Sequence, residues 1–229
     1  MNTRPRKHST LAPIIKTTLF LFLALLPTIR SFATDQIADE LIYESKEYAI
    51  HSDPILEEYF SKNKSARPTG GDLITALYRG YMAIFEIKEG WLYAKEVNIY
   101  TGHDSSTHKI QWKNVIGDIF KTEKDKRLDW FSGLLILPHG NPIIHSDHGF
   151  ISENYILLEI NNGKCVKEKK LSGTEAYDKF RKKQFELFKQ TDEYKKALSE
   201  RIKYGYKKKE AERFLESYVL YYSKKILVD

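Results

Sequence analysis

The sequence predicts an α+β protein, with a mainly antiparallel sheet of about eight strands, short helices that plug the sheet and a helical C-terminal tail. Apolar runs of strand length recur between residues 41 and 169, and turn residues or short helices join nearly all of them. Such short connections favour antiparallel pairing. From Thr174 onward the apolar period changes from two residues to 3.6, which is typical of helices. The pattern leaves open whether the sheet is curled or barrel-like.

The first 33 residues have the order of a secretory signal peptide. Basic residues precede an uncharged apolar run at 17–26, Pro27 ends that run, and Ser31 and Ala33 stand at the two positions that a signal peptidase reads. The run is well short of the roughly 20 residues needed to span a bilayer. We therefore expect a signal peptide at 1–33, cleavage after Ala33, and no stable membrane span in the mature protein.

The charge and cysteine content indicate the compartment and exclude one class of partner. The leader holds five of the 37 basic residues and none of the 31 acidic ones. The mature chain is therefore nearly neutral, and its composition gives no argument for nucleic-acid binding. Cys165 is the only cysteine, so no internal disulfide can form, which fits a bacterial envelope better than a eukaryotic secretory route. We predict an exported bacterial protein, periplasmic or secreted, whose partner is an unknown protein or a small ligand.

The β-rich part of the chain is organised around the stretch 75–100. There, two apolar runs flank Lys88-Glu89-Gly90, a signal for an antiparallel hairpin. The first run is apolar on both faces, which is typical of a central strand covered on two sides. Ahead of it we expect a short hairpin at 41–50, and a short helix after Pro54 with Asp53 as N-cap. After it the patterns predict, in order, a polar loop at 101–109, an amphipathic helix at 112–120, a strand at 130–137 that stops at Pro138, a turn at 139–141 with a returning strand at 143–145, and a last hairpin around Asn161-Asn162-Gly163.

The tail carries apolar stripes at helical spacing, with Thr174 as the expected N-cap and one stripe running through Tyr194, Leu198 and Ile202. We expect these stripes to pack on the β domain, because exposed they would form an apolar patch that is rare on monomeric proteins. The predicted domains are the signal peptide at 1–33, the β-rich domain at 34–173 and the helical extension at 174–229.

Three consecutive lysines, Lys207, Lys208 and Lys209, stand where the last helix is expected to begin. Cations are unfavourable near a helix N-terminus. Either the helix starts later, or these lysines meet an anionic surface. They are the candidate interaction residues of the tail.

Several short motifs between residues 42 and 169 resemble those of a group of uncharacterised bacterial proteins. They are Pro54-Ile55-Leu56-Glu57 followed by Tyr59-Phe60, then Arg67-Pro68, Arg79-Gly80-Tyr81 followed by Glu86-Ile87, and Asp129-Trp130-Phe131-Ser132-Gly133. In that group a proline-leucine-glutamate turn precedes an Arg-Gly-Tyr strand and an Asp-Trp-aromatic-Ser-Gly strand. The resemblance leaves out the tail and implies no activity, so it supports the domain limits and supplies no chemistry.

Arg79 is the charged residue most indicative of a site, because it stands in an otherwise apolar run between Tyr78 and Tyr81. A buried arginine requires a carboxylate or several carbonyl groups. One interpretation is a ligand clamp for an anion or carboxylate, formed by Arg79 with Tyr78, Tyr81 and Trp130. The other is a structural ion pair with one of three acids: Glu86, Glu96 or Asp129.

A second cluster, His145, Asp147 and His148 near His139, has side chains that suit Zn²⁺ or another divalent ion. No Cys pair, HExxH or EF-hand spacing accompanies it. We therefore predict no cofactor and keep a divalent metal at these residues as the alternative.

The sequence supports two classes of function. The leading one is a non-enzymatic binding or protein-interaction domain, because the structural interpretation leaves no surplus of catalytic groups. The alternative is an exported hydrolase that uses His, Ser and Asp residues of the loops 101–109 and 139–148, although no G-x-S-x-G motif accompanies them. Cys165, just after a predicted turn, is expected to be a packed or edge thiol.

Overall fold

The computed structural model describes residues 36–50, 52, 54–107, 109–146 and 149–228, with the backbone alone at 143–146 and 149–151. The predicted leader lies outside these residues. In the described part, no helix is long and apolar enough to cross a membrane. That part contains eight strands and six α-helices: β1 (Glu40–Tyr43), β2 (Lys46–Ala49), α1 (Ile55–Lys62), β3 (Met82–Lys88), β4 (Trp91–His103), β5 (Ile110–Asn114), α2 (Ile116–Ile119), β6 (Gly133–Ser146), β7 (Gly149–Asn161), β8 (Lys164–Ser172), α3 (Thr174–Phe188), α4 (Asp192–Lys203), α5 (Lys208–Ser217) and α6 (Val219–Tyr222).

The eight strands form one mostly antiparallel sheet in the order β2-β1-β3-β4-β8-β7-β6, with β5 paired to β4. The exception is β1, which runs parallel to β3. The sheet is not closed, but it curls until its edge strands touch: the rings of Tyr48 on β2 and His139 on β6 meet edge to face at 5.8 Å. The predicted α+β class is confirmed, in its curled form and not as a closed barrel.

Three tight hairpins set the register of the sheet, as the sequence predicts. Their turns use residues with positive φ, a conformation that matches the twist of the flanking strands: Glu44 and Ser45, Glu89 and Gly90, and Asn162 and Gly163. Position 163 also requires glycine because the backbone of Leu128 lies close to it. An added Cβ would be 2.8 Å from the Leu128 carbonyl oxygen. The β7–β8 hairpin is therefore fixed against the segment that precedes β6.

Several predicted boundaries are wrong. The central strand does not begin at Leu77: a 3₁₀ turn at Thr75–Leu77 and a left-handed Gly80 precede β3. Residues 110–114 form β5, and only 116–119 are helical. Pro138 does not end β6, which continues through 139–146 with register shifts. Proline has no backbone N–H to donate, and β6 is the edge strand of the sheet. Pro138 can therefore lie within it without removing a hydrogen bond between strands. Helix α3 begins at Thr174, with Gly173 in the N-cap position.

One hydrophobic core fills the concave side of the sheet. It combines alternate residues of β1, β3, β4, β6 and β7 with the buried face of α1, namely Ile55, Leu56 and Phe60. Helix α1 thus plugs the sheet, as predicted from its apolar face. The strands covered on both sides are β6 and β7, not the predicted β3: neighbouring residues such as Leu134 and Leu135 belong to two different cores.

The second core lies between the other face of β6–β8 and the tail. The predicted packing of the tail is confirmed, except that Ile202 of the predicted stripe is 44% exposed. Phe180, Phe185 and Phe188 of α3 are buried against this face, and full burial of such a side chain contributes about 1.5–3 kcal/mol. Gln184 is fully buried and fixes the end of the chain, donating to the Lys225 carbonyl (2.7 Å) and accepting from the Leu227 N–H (2.9 Å).

Candidate functional site

Arg79 forms a buried structural ion pair, but the three predicted partners are wrong. Its side chain is 8% exposed, and Nη2 lies 2.6 Å from Oδ1 of Asp39, whose side chain is 3% exposed. The guanidinium also donates to the carbonyls of Tyr81 (2.8 Å) and Ile37 (3.0 Å). The parallel pairing of β1 with β3 brings Asp39 to this point, because Glu40 lies opposite Ile84.

The two carboxyl oxygens of Asp39 differ in their hydrogen bonding. Oδ1 accepts from Arg79 and from the Ala83 N–H (2.8 Å), whereas Oδ2 is buried without a hydrogen-bond partner among the described residues. Burial raises the pKa of Asp39 to about 6, while the Arg79 charge acts to lower it. The pair therefore contains an acid that titrates close to neutral pH.

Glu57 connects this pair to α1. Its Oε1 accepts from the Tyr81 hydroxyl (3.0 Å), and its Oε2 pairs with Arg67. Arg67 in turn donates to the Arg79 carbonyl (3.3 Å). Three of the motifs that carry the resemblance thus meet in one network of hydrogen bonds, in which Glu57 pairs with Arg67 and Arg79 pairs with Asp39.

The predicted ligand residues do not converge on one point. The Arg79 guanidinium lies 5.3 Å from the ring centroid of Tyr81, which is fully buried. Tyr78 is 71% exposed. Trp130 is half-buried and stacks on Tyr59 of α1 at 5.8 Å. Since the guanidinium is already bonded to Asp39 and two carbonyls, a ligand clamp at Arg79 stays a prediction.

A cleft of about 420 Å³ lies beside this network, between α1, the start of β6 and the C-terminal segment. We name it the α1–β6 cleft. Pro54, Ile55 and Glu57 line it from one resembling motif, and Phe131-Ser132-Gly133 line it from another. The tail contributes Tyr221, Ser223 and Lys224. The cleft is thus formed where the β domain and the docked tail meet.

The polar groups of the cleft fall into two sets. Its carboxylates are paired with cations: Glu57 with Arg67, and Glu58 with Lys62 at 2.8 Å. By contrast, Lys224 is exposed and has no ion-pair partner among the described residues. The Ser52 hydroxyl oxygen is buried and likewise has no hydrogen-bond partner in the described part of the chain.

The segment Asp129–Gly133 owes its position to bonds with the β7–β8 hairpin. The Ser132 hydroxyl accepts from the Asn162 N–H at 2.8 Å, and the Gly163 N–H donates to the Phe131 carbonyl at 2.8 Å. Asp129 binds Arg127 through both of its oxygens, at 2.7 and 2.9 Å. These residues shape the wall of the cleft, and their own polar groups are used within the fold.

The groups invoked for hydrolysis bond locally where the structure describes them. Asp104 accepts four hydrogen bonds from Ser106 and Thr107 within its own turn, which hold its pKa below the ordinary range. His103 Nδ1 lies 2.6 Å from the Tyr100 hydroxyl. Asp147, His148 and the His145 side chain lie outside the described residues. Within those residues, no group of His, Cys, Asp and Glu is arranged to hold a metal ion.

The tail lysines and Cys165 have clear positions. Helix α5 begins at Lys208, with Lys207 in the N-cap position, so the helix does not start later. Lys207, Lys208 and Lys209 are all exposed. Cys165 is a half-buried free thiol packed against the concave core, and burial raises its pKa. It is therefore the packed thiol that the sequence predicts.

Sequence reasoning missed Asp39, Ser52 and Lys224. Asp39 lies 40 residues before Arg79, so no local spacing connects the two. Comparisons with family models, with curated proteins and with solved structures found no match for the chain. The fold and the cleft define an α+β protein with an open, curled sheet and a docked helical tail.

Proposed function

We propose that this is an exported, non-enzymatic binding protein that holds a small organic anion, a carboxylic acid, in the α1–β6 cleft. The observation that carries the proposal is a pair of polar groups at the cleft, the Lys224 ammonium and the Ser52 hydroxyl, which have no partner in the described part of the chain. A buried hydroxyl without a hydrogen bond costs about 1–3 kcal/mol. A ligand oxygen in the cleft would remove that cost.

The charge balance of the cleft favours an anion. Among the described residues of the lining, Glu57 and Glu58 are each paired with a cation outside it, so Lys224 is the charge without a partner. The apolar side chains of Ile55, Phe131 and Leu134 provide room for a short carbon chain. A volume of about 420 Å³ lies in the range of small-molecule sites, about 300–1,000 Å³.

A non-enzymatic role agrees with how the nearby charged groups are used. Asp39, Arg67 and Arg79 all take part in the network that joins β1, β3 and α1. No serine of the described residues is hydrogen-bonded to a histidine ring in a nucleophile–base pair. Hydrolysis at the loops 101–109 and 139–148 stays a hypothesis that no contact of their described side chains favours.

The proposal is tested by thermal shift and calorimetry on the mature chain. Acetate, lactate, succinate and citrate are the probes, with acetamide and succinamide as neutral controls. We expect at least one acid to raise the melting temperature and its amide to have no effect. Lys224→Gln should abolish that shift, and Lys225→Gln, one residue further along the same exposed segment, should preserve it.

Ser52→Ala separates binding from stability. We expect it to lower the affinity for the acid about fivefold, which corresponds to about 1 kcal/mol for one hydrogen bond. It should not lower the stability of the free protein, because the buried hydroxyl has no partner to lose among the described residues. No stabilisation by any of the acids, or an equal response in Lys224→Gln, would refute the proposal.

A further inference from the structure

The corner between α4 and α5 is the most exposed part of the described tail. All nine residues from Ile202 to Glu210 are exposed, in the sequence IKYGYKKKE. Four of them are lysines and one is a glutamate, so the corner is strongly cationic. It also presents apolar and aromatic surface, with Tyr204 80% exposed, Ile202 44% and Tyr206 40%. We name residues 202–210 the α4–α5 corner.

The corner is held in place from behind. Arg201, the residue before it, stacks on Phe214 of α5 with its guanidinium carbon 3.8 Å from the ring centroid, and bonds the Tyr222 hydroxyl. Tyr206 packs at 6.3 Å on the same Phe214 ring. Gly205 makes the reversal with φ +94°. The side chains of the α4–α5 corner therefore lie on a fixed turn that joins two packed helices.

The lysines of the corner are placed where the helix disfavours them. Lys207, Lys208 and Lys209 occupy the N-cap and first two positions of α5, at the positive end of the helix dipole. Only Glu210 opposes this charge from within the corner, accepting from the Lys207 N–H at 3.1 Å. Lys208 also lies 4.0 Å from Glu212 one turn further along α5, but an exposed pair of this kind contributes only about 0–1 kcal/mol. Helix stability therefore does not account for three consecutive lysines at this end of α5.

We propose that the α4–α5 corner docks on the surface of an anionic phospholipid bilayer. Lysines are attracted to such a surface, and tyrosines are enriched at the level of its headgroups. A projecting turn with separate aromatic side chains can enter a fluid interface, whereas a folded acidic protein would require a matching groove. The α1–β6 cleft is formed by other residues, so this docking is independent of the proposed ligand site.

Vesicle flotation with the mature chain tests the docking. The probes are vesicles of phosphatidylglycerol with phosphatidylcholine, and vesicles of phosphatidylcholine alone. We expect binding to the anionic vesicles that weakens as salt is raised, and little binding to the neutral ones. The triple variant Lys207→Gln, Lys208→Gln, Lys209→Gln should lose at least about tenfold in binding. Its melting temperature should stay the same or rise, because cations leave a helix N-terminus.

The matched control changes three exposed lysines on α3, Lys179, Lys182 and Lys183, to glutamine. This control removes the same net charge and should preserve vesicle binding. Tyr204→Ser should weaken the binding that remains at high salt. Equal losses in the two triple variants, or equal binding to neutral vesicles, would overturn the docking at this corner. So would binding of soluble polyglutamate through the same lysines without any binding to vesicles.

Discussion

Replacing Arg79 by leucine tests the buried network directly. The change leaves the Asp39 carboxylate at 3% exposure without its cation, and it leaves the carbonyls of Ile37 and Tyr81 without their donors. Removing one partner of a buried pair costs about 3–5 kcal/mol. For a chain of this size, that corresponds to a fall in melting temperature of about 10 °C. We expect this loss at pH 8 in urea and thermal unfolding.

The pH dependence of the loss identifies its cause. Without Arg79 only the hydrogen bond from the Ala83 N–H still opposes the burial that raises the pKa of Asp39, so at pH 5 the carboxyl will be neutral at little cost. The free energy lost by Arg79→Leu should therefore be smaller at pH 5 than at pH 8. A lost apolar contact would give the same loss at both values.

Two further variants complete the experiment. Arg79→Lys keeps a cation but loses the planar fork, so it should cost less than Arg79→Leu. The control is Arg127→Leu, because Arg127 and Asp129 form an ion pair whose side chains are 34% and 48% exposed; such a pair contributes about 0–1 kcal/mol. If Arg79→Leu is as stable as the wild type, or costs no more than Arg127→Leu, the reasoning about a buried pair is wrong.

Three more predictions concern pH, the tail and export. Burial raises the pKa of Asp39 to about 6, so the contribution of this residue to the free energy of unfolding is fully present below about pH 4 and is lost as the pH rises past 6. Urea unfolding between these pH values should show a free energy that falls with pH in the wild type and not in Asp39→Asn. A chain that ends at Ser172 exposes the second core, so it should melt at a lower temperature and aggregate, and an unchanged, monomeric product would contradict the docked tail. Mass spectrometry of the exported protein should find an N-terminus at or near Thr34, whereas an intact leader on the cytosolic protein would disprove export.

The sheet could be predicted because its signals are local. The turns at Glu89-Gly90 and Asn162-Gly163 contain glycine or asparagine, which accept positive φ, and they fix the β3–β4 and β7–β8 hairpins. Alternation then assigns the faces of each strand. The change of period at Thr174 is equally local, and α3 begins at that residue.

The boundaries that failed depend on contacts distant in sequence. Trp112 stands at helical spacing from Val115 and Ile116, yet pairing with β4 makes residues 110–114 a strand. The doubly covered strands are β6 and β7 because the tail packs on their outer face. In the sequence, nothing near Leu134–Leu137 indicates which element will cover it.

The candidate site also combines local signals with contacts that are distant in sequence. Arg79 can be recognised from the sequence because a lone charge in an apolar run requires a partner. Its partner, Asp39, was not recognised because β1 reaches β3 by a parallel pairing, which leaves no turn signal between them. Lys224 and Ser52 approach one cleft only after the tail docks.

The structure of a bound acid tests the central claim most directly. Crystals of the mature chain soaked with the acid that gives the largest thermal shift should show it in the α1–β6 cleft, with one carboxylate oxygen within hydrogen-bonding distance of Lys224 Nζ and a ligand oxygen near Ser52 Oγ. An acid found elsewhere on the molecule, or an empty cleft at a concentration that saturates the thermal shift, would contradict the account.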